Sequence, residues 1–246
     1  MTSLKAAGRS VGLEVGVAEG RLELTPTDPE DARYSADFIL PTMRMVEACR
    51  ADDFTFFQPF IEAGRLTVGQ MQRAAARYHL GKTRSGKPVF WMIDETGDPL
   101  DAHIGDDAWM STLLKARQPL LQHWCPTHCL FGLHQLNVKP IAIVESEASA
   151  VVLSELFPEV LWMAYATVEH LDVVLFAPLQ GRTVTFYPAT DPSASTYLFF
   201  LDFAEAIRQR YDIHVTVAPI LEDLATPEQK DRCIDLLDFL RESLSG

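Results

Sequence analysis

The residues best suited to chemistry stand at one junction, Ile141-Ala142-Ile143-Val144-Glu145-Ser146-Glu147. Four apolar residues run into two carboxylates, and an apolar helical pattern begins at once. This is the pattern of a buried parallel strand feeding directly into a helix. Ligands of open parallel sheets bind at the carboxyl ends of the strands, where Glu145 would sit. Asp191 falls just after the apolar run 183–187, and Asp235 lies with Asp238 in the C-terminal helical stretch. Carboxylates converging on one sheet edge are what a hard cation such as magnesium requires. Glu145 and Glu147 also have a plainer use, because both favour the positive end of the helix that follows. Spacing alone leaves the two uses open.

Other reactive-looking stretches carry less. Gly81-Lys82-Thr83 has the tail of a phosphate-binding loop, but Ala76 stands where the first glycine belongs. A helical pattern precedes it and a strand follows, the reverse of that motif. It is better read as a basic turn. His123, Cys125, His128, Cys129 and His134 gather thiolates and imidazoles at a spacing zinc can use. No second Cys/His pair follows at finger spacing, and Cys-Leu-Phe-Gly-Leu is apolar, so packed cysteines are the favoured reading over zinc. Neither Gly-x-Ser-x-Gly nor His-Glu-x-x-His occurs, so no serine hydrolase or common metalloprotease is signalled.

Charge narrows the partners. The 246 residues carry a formal −13, unevenly divided: 14 Lys/Arg against 17 Asp/Glu in 1–138, and 7 against 17 in 139–246. An acidic balance argues against a general nucleic-acid binder. Yet no acidic residue falls between Glu62 and Asp94, whereas Arg65, Arg73, Arg77, Lys82, Arg84 and Lys87 all do. That stretch is the candidate for meeting phosphate, against the plainer alternative of a solvated helix face. No run approaches the ~20 apolar residues of a membrane span. Four scattered cysteines fit a reduced, cytoplasmic protein.

The elements that must position these residues are legible in outline. "GLEVGV" and "GRLELTP" alternate at period two and predict a short hairpin before a polar stretch. Residues 42–80 read as helices, the last opened by a Thr67/Gln70 capping box. Residues 88–104 predict a hairpin turning at Glu95–Asp98. From Lys139 short apolar strands (141–144, 160–164, 183–187, 214–217) alternate with helices, which indicates a parallel α/β sheet. Thr226, Pro227 and Gln229 open the last helix. A boundary near residue 138 divides an accessory α+β region, 1–138, from an α/β domain, 139–246.

The segment "KPIAIVESEASAVVLSELFPEVLWMA" resembles the first motif of toprim-type domains, the catalytic fold of bacterial primases and topoisomerases. More narrowly, the chain is similar to toprim-like proteins of bacterial mobile elements. Matching stretches occur in order at "YHLGKTRSGKPVFWMIDETG", "HCLFGLHQL", "LQGRTVTFYPATD" and "ILEDLATPEQKDRCIDLLDFL". The resemblance implies a four-stranded parallel toprim sheet flanked by helices behind a smaller N-terminal region. It implies Glu145 as general acid/base in phosphoryl transfer, and an Asp-x-Asp pair holding magnesium. The chain departs from the pattern at that pair, where Ala189-Thr190-Asp191 keeps only the second acid. The family's lysine is Ala148, and Leu133 replaces an acid. A methyl group cannot ligate magnesium, which leaves Asp191 and, more weakly, Asp235 as metal ligands. The expectation is a degenerate, primase-like protein that associates with single-stranded nucleic acid or nucleotide. Its competitor is a non-catalytic interaction module on the same fold.

Overall fold

The computed structural model describes residues 41–105, 108–117 and 127–244, together with the backbone of 2–6, 9–18 and 21–26. The three N-terminal strands, β1 (Thr2–Ala6), β2 (Arg9–Ala18) and β3 (Arg21–Pro26), form an antiparallel meander. The expected hairpin is present there, with 13–18 paired to 21–26. The polar stretch beyond Pro26 lies outside the described residues.

The helices of 42–80 are α1 (Met43–Ala48), α2 (Gln58–Glu62) and α3 (Val68–Arg77). At the head of α3 the Thr67 side chain accepts from Gln70 N, and the Gln70 side chain accepts from Thr67 N. Strands β4 (Gly81–Lys82), β5 (Pro88–Ile93), β6 (Pro99–Ile104) and β7 (Ala108–Trp109) make an antiparallel sheet in that order. The β5–β6 turn falls where it was expected, with Asp94 Oδ1 accepting from Thr96 N and Asp98 N. Thr83 to Lys87 is a turn closed by Thr83 N to Lys87 O at 2.9 Å, so Gly81-Lys82 enters a strand rather than a phosphate loop. A short helix, α4 (Met110–Arg117), leaves this sheet.

Beyond residue 138 four strands lie parallel: β8 (Ile141–Val144), β9 (Leu161–Ala164), β10 (Thr183–Phe186) and β11 (His214–Val217), in the order β11-β10-β8-β9. The mixed α/β architecture with a four-stranded parallel sheet is therefore the one the alternation implied. Strands β8 and β9 are buried on both faces, which accounts for their unbroken apolar sequences. Alternate residues serve opposite layers. Ala142, Val144, Trp162 and Ala164 face a core built with α5 (Glu147–Leu156); Ile141, Ile143, Leu161 and Met163 face Phe200, Ala204 and Ile207 of α6 (Ser195–Arg210).

The expected C-terminal helix is two helices. The Thr226 capping box opens α8 (Pro227–Asp231), which follows α7 (Ile220–Leu224). Cys233 then adopts φ 52, and Asp235 caps a separate α9 (Leu236–Ser243). This break matters, because it brings Asp235 back against α5.

The two sides of residue 138 share one core. Strand β5 sends Phe90 and Met92 into the α5 core and Val89, Trp91 and Ile93 into a smaller one with Val46 and Ala102. Tyr78, fully buried at the end of α3, donates to Trp162 O of β9 at 2.8 Å. Arg77 donates to Ser154 Oγ at 2.7 Å and to Glu155 at 2.9 Å, tying α3 to the far end of α5. Gly132 (φ 86) is required at this seam, since a Cβ there would stand 3.1 Å from both Trp162 O and the Tyr78 ring. Among the described residues no helix is long and apolar enough to cross a membrane.

Candidate functional site

Glu145 stands immediately after β8, at the carboxyl edge of the parallel sheet. Its backbone carbonyl accepts from Ala166 N at 3.0 Å, fixing it beside the chain leaving β9. Ala166 is held at φ 65 to make that contact, in a region that L-residues disfavour. Tyr165, 5% exposed, places its hydroxyl beside the Glu145 carboxyl. Asp235 approaches from α9, where it accepts from Asp238 N at 2.8 Å and from the Ser149 hydroxyl of α5. Ser149 N in turn donates to Ser146, the cap of α5. Glu145, Tyr165, Ser149 and Asp235 thus form one cluster drawn from four segments.

Electrostatics in this cluster favour protons on the carboxyls. Burial pushes the Glu145 carboxyl up, and Asp235, Glu169 and Glu147 add to the effect, while the Tyr165 hydroxyl partly opposes it. Burial likewise raises Asp235, against the opposing hydrogen bonds from Ser149 and the α9 backbone. Burial and the neighbouring Glu145 push the Tyr165 phenol well above its ordinary range. Burial and the surrounding acids therefore disfavour the ionised form of Glu145, and burial and Asp238 that of Asp235.

Glu147 has a different partner. It is the first residue of α5, is 4% exposed, and meets His103 Nδ1 of β6 at 2.8 Å. His103 stacks on Trp109, whose indole edge also meets His128 and His170; those two imidazoles stack with centroids 4.1 Å apart. Burial and His170 depress the His128 imidazole. This layer walls Glu147 on the side of the antiparallel sheet. No sequence signal paired Glu147 with His103, 44 residues apart; only the β5–β6 hairpin brings them together.

Asp191 is differently engaged. It follows β10 at the same sheet edge, 8% exposed, but both its oxygens are committed to its own loop. Oδ1 accepts from Ser193 N, Ser193 Oγ and Ser195 N; Oδ2 accepts from Ser195 Oγ and from Thr196 N at 2.7 Å. Burial alone would raise this carboxyl, yet the donors of Ser193, Thr196 and Ser195 hold it well below the usual carboxylate range. Asp191 therefore caps α6 from upstream, a task Ala194 at φ 56 cannot perform. Its neighbour Thr190 donates to Glu222, which Lys230 holds at 2.8 Å. Ala189 is 9% exposed. A magnesium ion would have to strip the donors from Asp191 and find only a methyl at Ala189, so these residues do not fit the ion that the toprim resemblance implies.

The basic stretch lies elsewhere. Arg73 and Arg77 pair with Glu155, at the end of α5 opposite Glu145, and Lys82 pairs with Asp53 at 2.8 Å. Arg65, Arg84 and Lys87 are exposed on the loops flanking α3 and β4. Helix α5, about 15 Å long at 1.5 Å per residue, separates them from the carboxyl cluster. Of the Cys/His group, His123 and Cys125 lie outside the described residues. Burial pushes the Cys129 thiol far up, His134 Nε2 meets Arg77 O at 3.1 Å, and His128 belongs to the aromatic wall.

A family model matches residues 55–190, from the turn before α2 into the loop that follows β10. The chain belongs to the DUF6371 family, a domain of unknown function. The DUF6371 match runs through residue 138 without a break, and it takes in the β5–β6 hairpin, Glu145 and Tyr165. It stops one residue before Asp191 and leaves out α6, β11 and Asp235. No curated protein matches the chain.

Proposed function

We propose that this DUF6371 chain is a toprim-like, primase-related protein of mobile-element origin that has given up magnesium-dependent phosphoryl transfer and acts as a binding module. The engagement of Asp191 carries this reading. The one surviving acid of the metal pair is spent on capping α6, and its partner position is Ala189. A single-stranded nucleic acid or nucleotide is the ligand that the basic loops around α3 support, through exposed Arg65 and Arg84.

A second reading keeps a catalytic role for Glu145 without the metal pair. Its raised carboxyl beside Tyr165 favours this, because a carboxyl that holds its proton to a higher pH than usual lies closer to the range in which a general acid works.

Calorimetry with magnesium and manganese separates the readings from a metal enzyme. Wild type and Ala189→Asp should both show no saturable uptake, since restoring one carboxylate does not release Asp191 from its donors. Saturable uptake by wild type, with phosphoryl transfer abolished by Glu145→Gln, would overturn the module reading. Binding of single strands should weaken steeply with salt and on neutralising Arg65 and Arg84. Salt-insensitive or absent binding would remove the nucleic-acid role.

A further inference from the structure

At the end of α5 away from Glu145, a cavity of about 80 Å³ opens between the tail of α3 and the amino ends of β8 and β9. Arg77, Tyr78, Gln135, Asn137, Lys139 and Ser154 supply its polar lining. In a chain of net −13, the described residues around this hollow include two cations and no carboxylate. Glu155, in contact with the lining, is paired with Arg73 and Arg77, which leaves Lys139 as the lining cation whose charge no described carboxylate meets.

The lining is short of acceptors. Gln135 Nε2 is buried and makes no hydrogen bond of ordinary geometry. The Tyr78 oxygen beside it, whose own proton goes to Trp162 O, can accept one of the two amide hydrogens, which leaves the other without an acceptor. Asn137 Nδ2 is turned away to Gln135 O at 2.9 Å, while its Oδ1 accepts from Lys139 N and orients that residue. Lys139 Nζ makes one hydrogen bond, to Pro158 O, and an ammonium can donate two more. A buried donor left without a partner is costly, so an acceptor entering the hollow is favoured. Water could enter, and the volume suits about two or three molecules. A tetrahedral oxyanion fills the same space with several acceptor oxygens at once and brings a charge opposite to that of Lys139, which water does not.

We infer that this hollow, framed by Arg77, Gln135 and Lys139, is a binding site for a phosphate group. The site extends the binding role proposed above but does not require it, because inorganic phosphate alone should occupy it. A strand's terminal phosphate is the other source. Lys139 lies on the surface leading out of the hollow, so a 5′ end could reach it with the chain trailing over the basic loops of α3.

The test is calorimetry of the whole chain with inorganic phosphate at fixed ionic strength, chloride being the control. Single strands carrying a 5′-phosphate or a 5′-hydroxyl are titrated in parallel. Phosphate should bind saturably, and Lys139→Met and Gln135→Leu should each weaken it about tenfold, the loss of one charged or one buried donor. Neither side chain anchors a core, so both variants should unfold at temperatures close to wild type. If free phosphate binds and neither strand does, the site stands and the nucleic-acid role falls. If only the 5′-phosphorylated strand gains affinity over its hydroxyl twin, the site stands as a strand-end clamp. Equal heats for phosphate and chloride, or strands that bind regardless of their 5′ group and of both substitutions, would overturn the inference. In the last case the nucleic-acid role would survive without this site.

Discussion

Two corners of one sheet edge handle the same functional group in opposite ways. After β10, Asp191 is nearly buried and remains a carboxylate, because five donors converge on its oxygens. After β8, Glu145 and Asp235 are half-buried, and nearby acids add to the effect of burial on each. Burial raises a carboxyl at both corners; the number of donors decides the outcome. Position on a parallel sheet therefore does not make an acid a ligand. A metal site needs carboxylates that ionise readily and are free of other donors; burial works against the first at Glu145 and Asp235, and five donors remove the second at Asp191.

The comparison breaks first at Asp191. Asp191→Ala should cost about 3 kcal/mol in urea unfolding, through the lost cap and the buried donors left unsatisfied. Asp191 titrates below its unfolded value near 3.9, so this stabilisation is complete above that pH and disappears as pH falls through the lowered folded value. Wild type and variant should converge in strong acid. A gap that persisted there would mean the carboxylate charge is not what holds the loop.

The same isosteric change at both corners gives the next contrast. Asp191→Asn should still cost about 2 kcal/mol, because an amide loses the charge and turns a donor toward donors. Asp235→Asn should be close to neutral at pH 7, because it keeps the α9 cap and removes a buried charge. Equal losses at the two positions would erase the distinction drawn here.

Glu145→Gln should raise the unfolding temperature at pH 7. A carboxyl whose folded value is raised binds its proton more tightly when folded, so wild-type stability is full below the unfolded value and declines as pH rises through the folded one. The gain from Gln should therefore vanish below about pH 4, near the unfolded value. A gain unchanged at that pH would point to packing instead.

Ser149→Ala should cost less than either change at Asp191, about 1 kcal/mol for one hydrogen bond to Asp235. It should also move the Asp235 titration upward, because Ser149 supports the charged form. An unmoved titration would show that the hydroxyl serves α5 alone.

Much of this fold was legible because its signals are local. The unbroken apolar runs of β8 and β9, the Thr67 and Thr226 capping boxes, and the turn after Ile93 all follow from neighbours in sequence. The cap of α6 was equally local, since Asp191-Pro-Ser-Ala-Ser-Thr spaces an acceptor against three backbone donors, yet a metal pair seemed the better use for that acid. The left-handed Cys233 was not legible, because nothing in "KDRCIDLL" demands a break between α8 and α9. Long-range pairs were out of reach altogether. Glu147 with His103 and Ser149 with Asp235 join segments 44 and 86 residues apart, and composition says nothing about which acid finds which partner.

Site-resolved carboxyl NMR, followed through a pH titration with and without magnesium, tests the difference between the corners most directly. Asp191 should stay ionised into strong acid, Glu145 and Asp235 should titrate above the ordinary carboxylate range, and magnesium should shift none of the three. Concerted movement of Asp191 and Glu145 on adding magnesium would contradict the account.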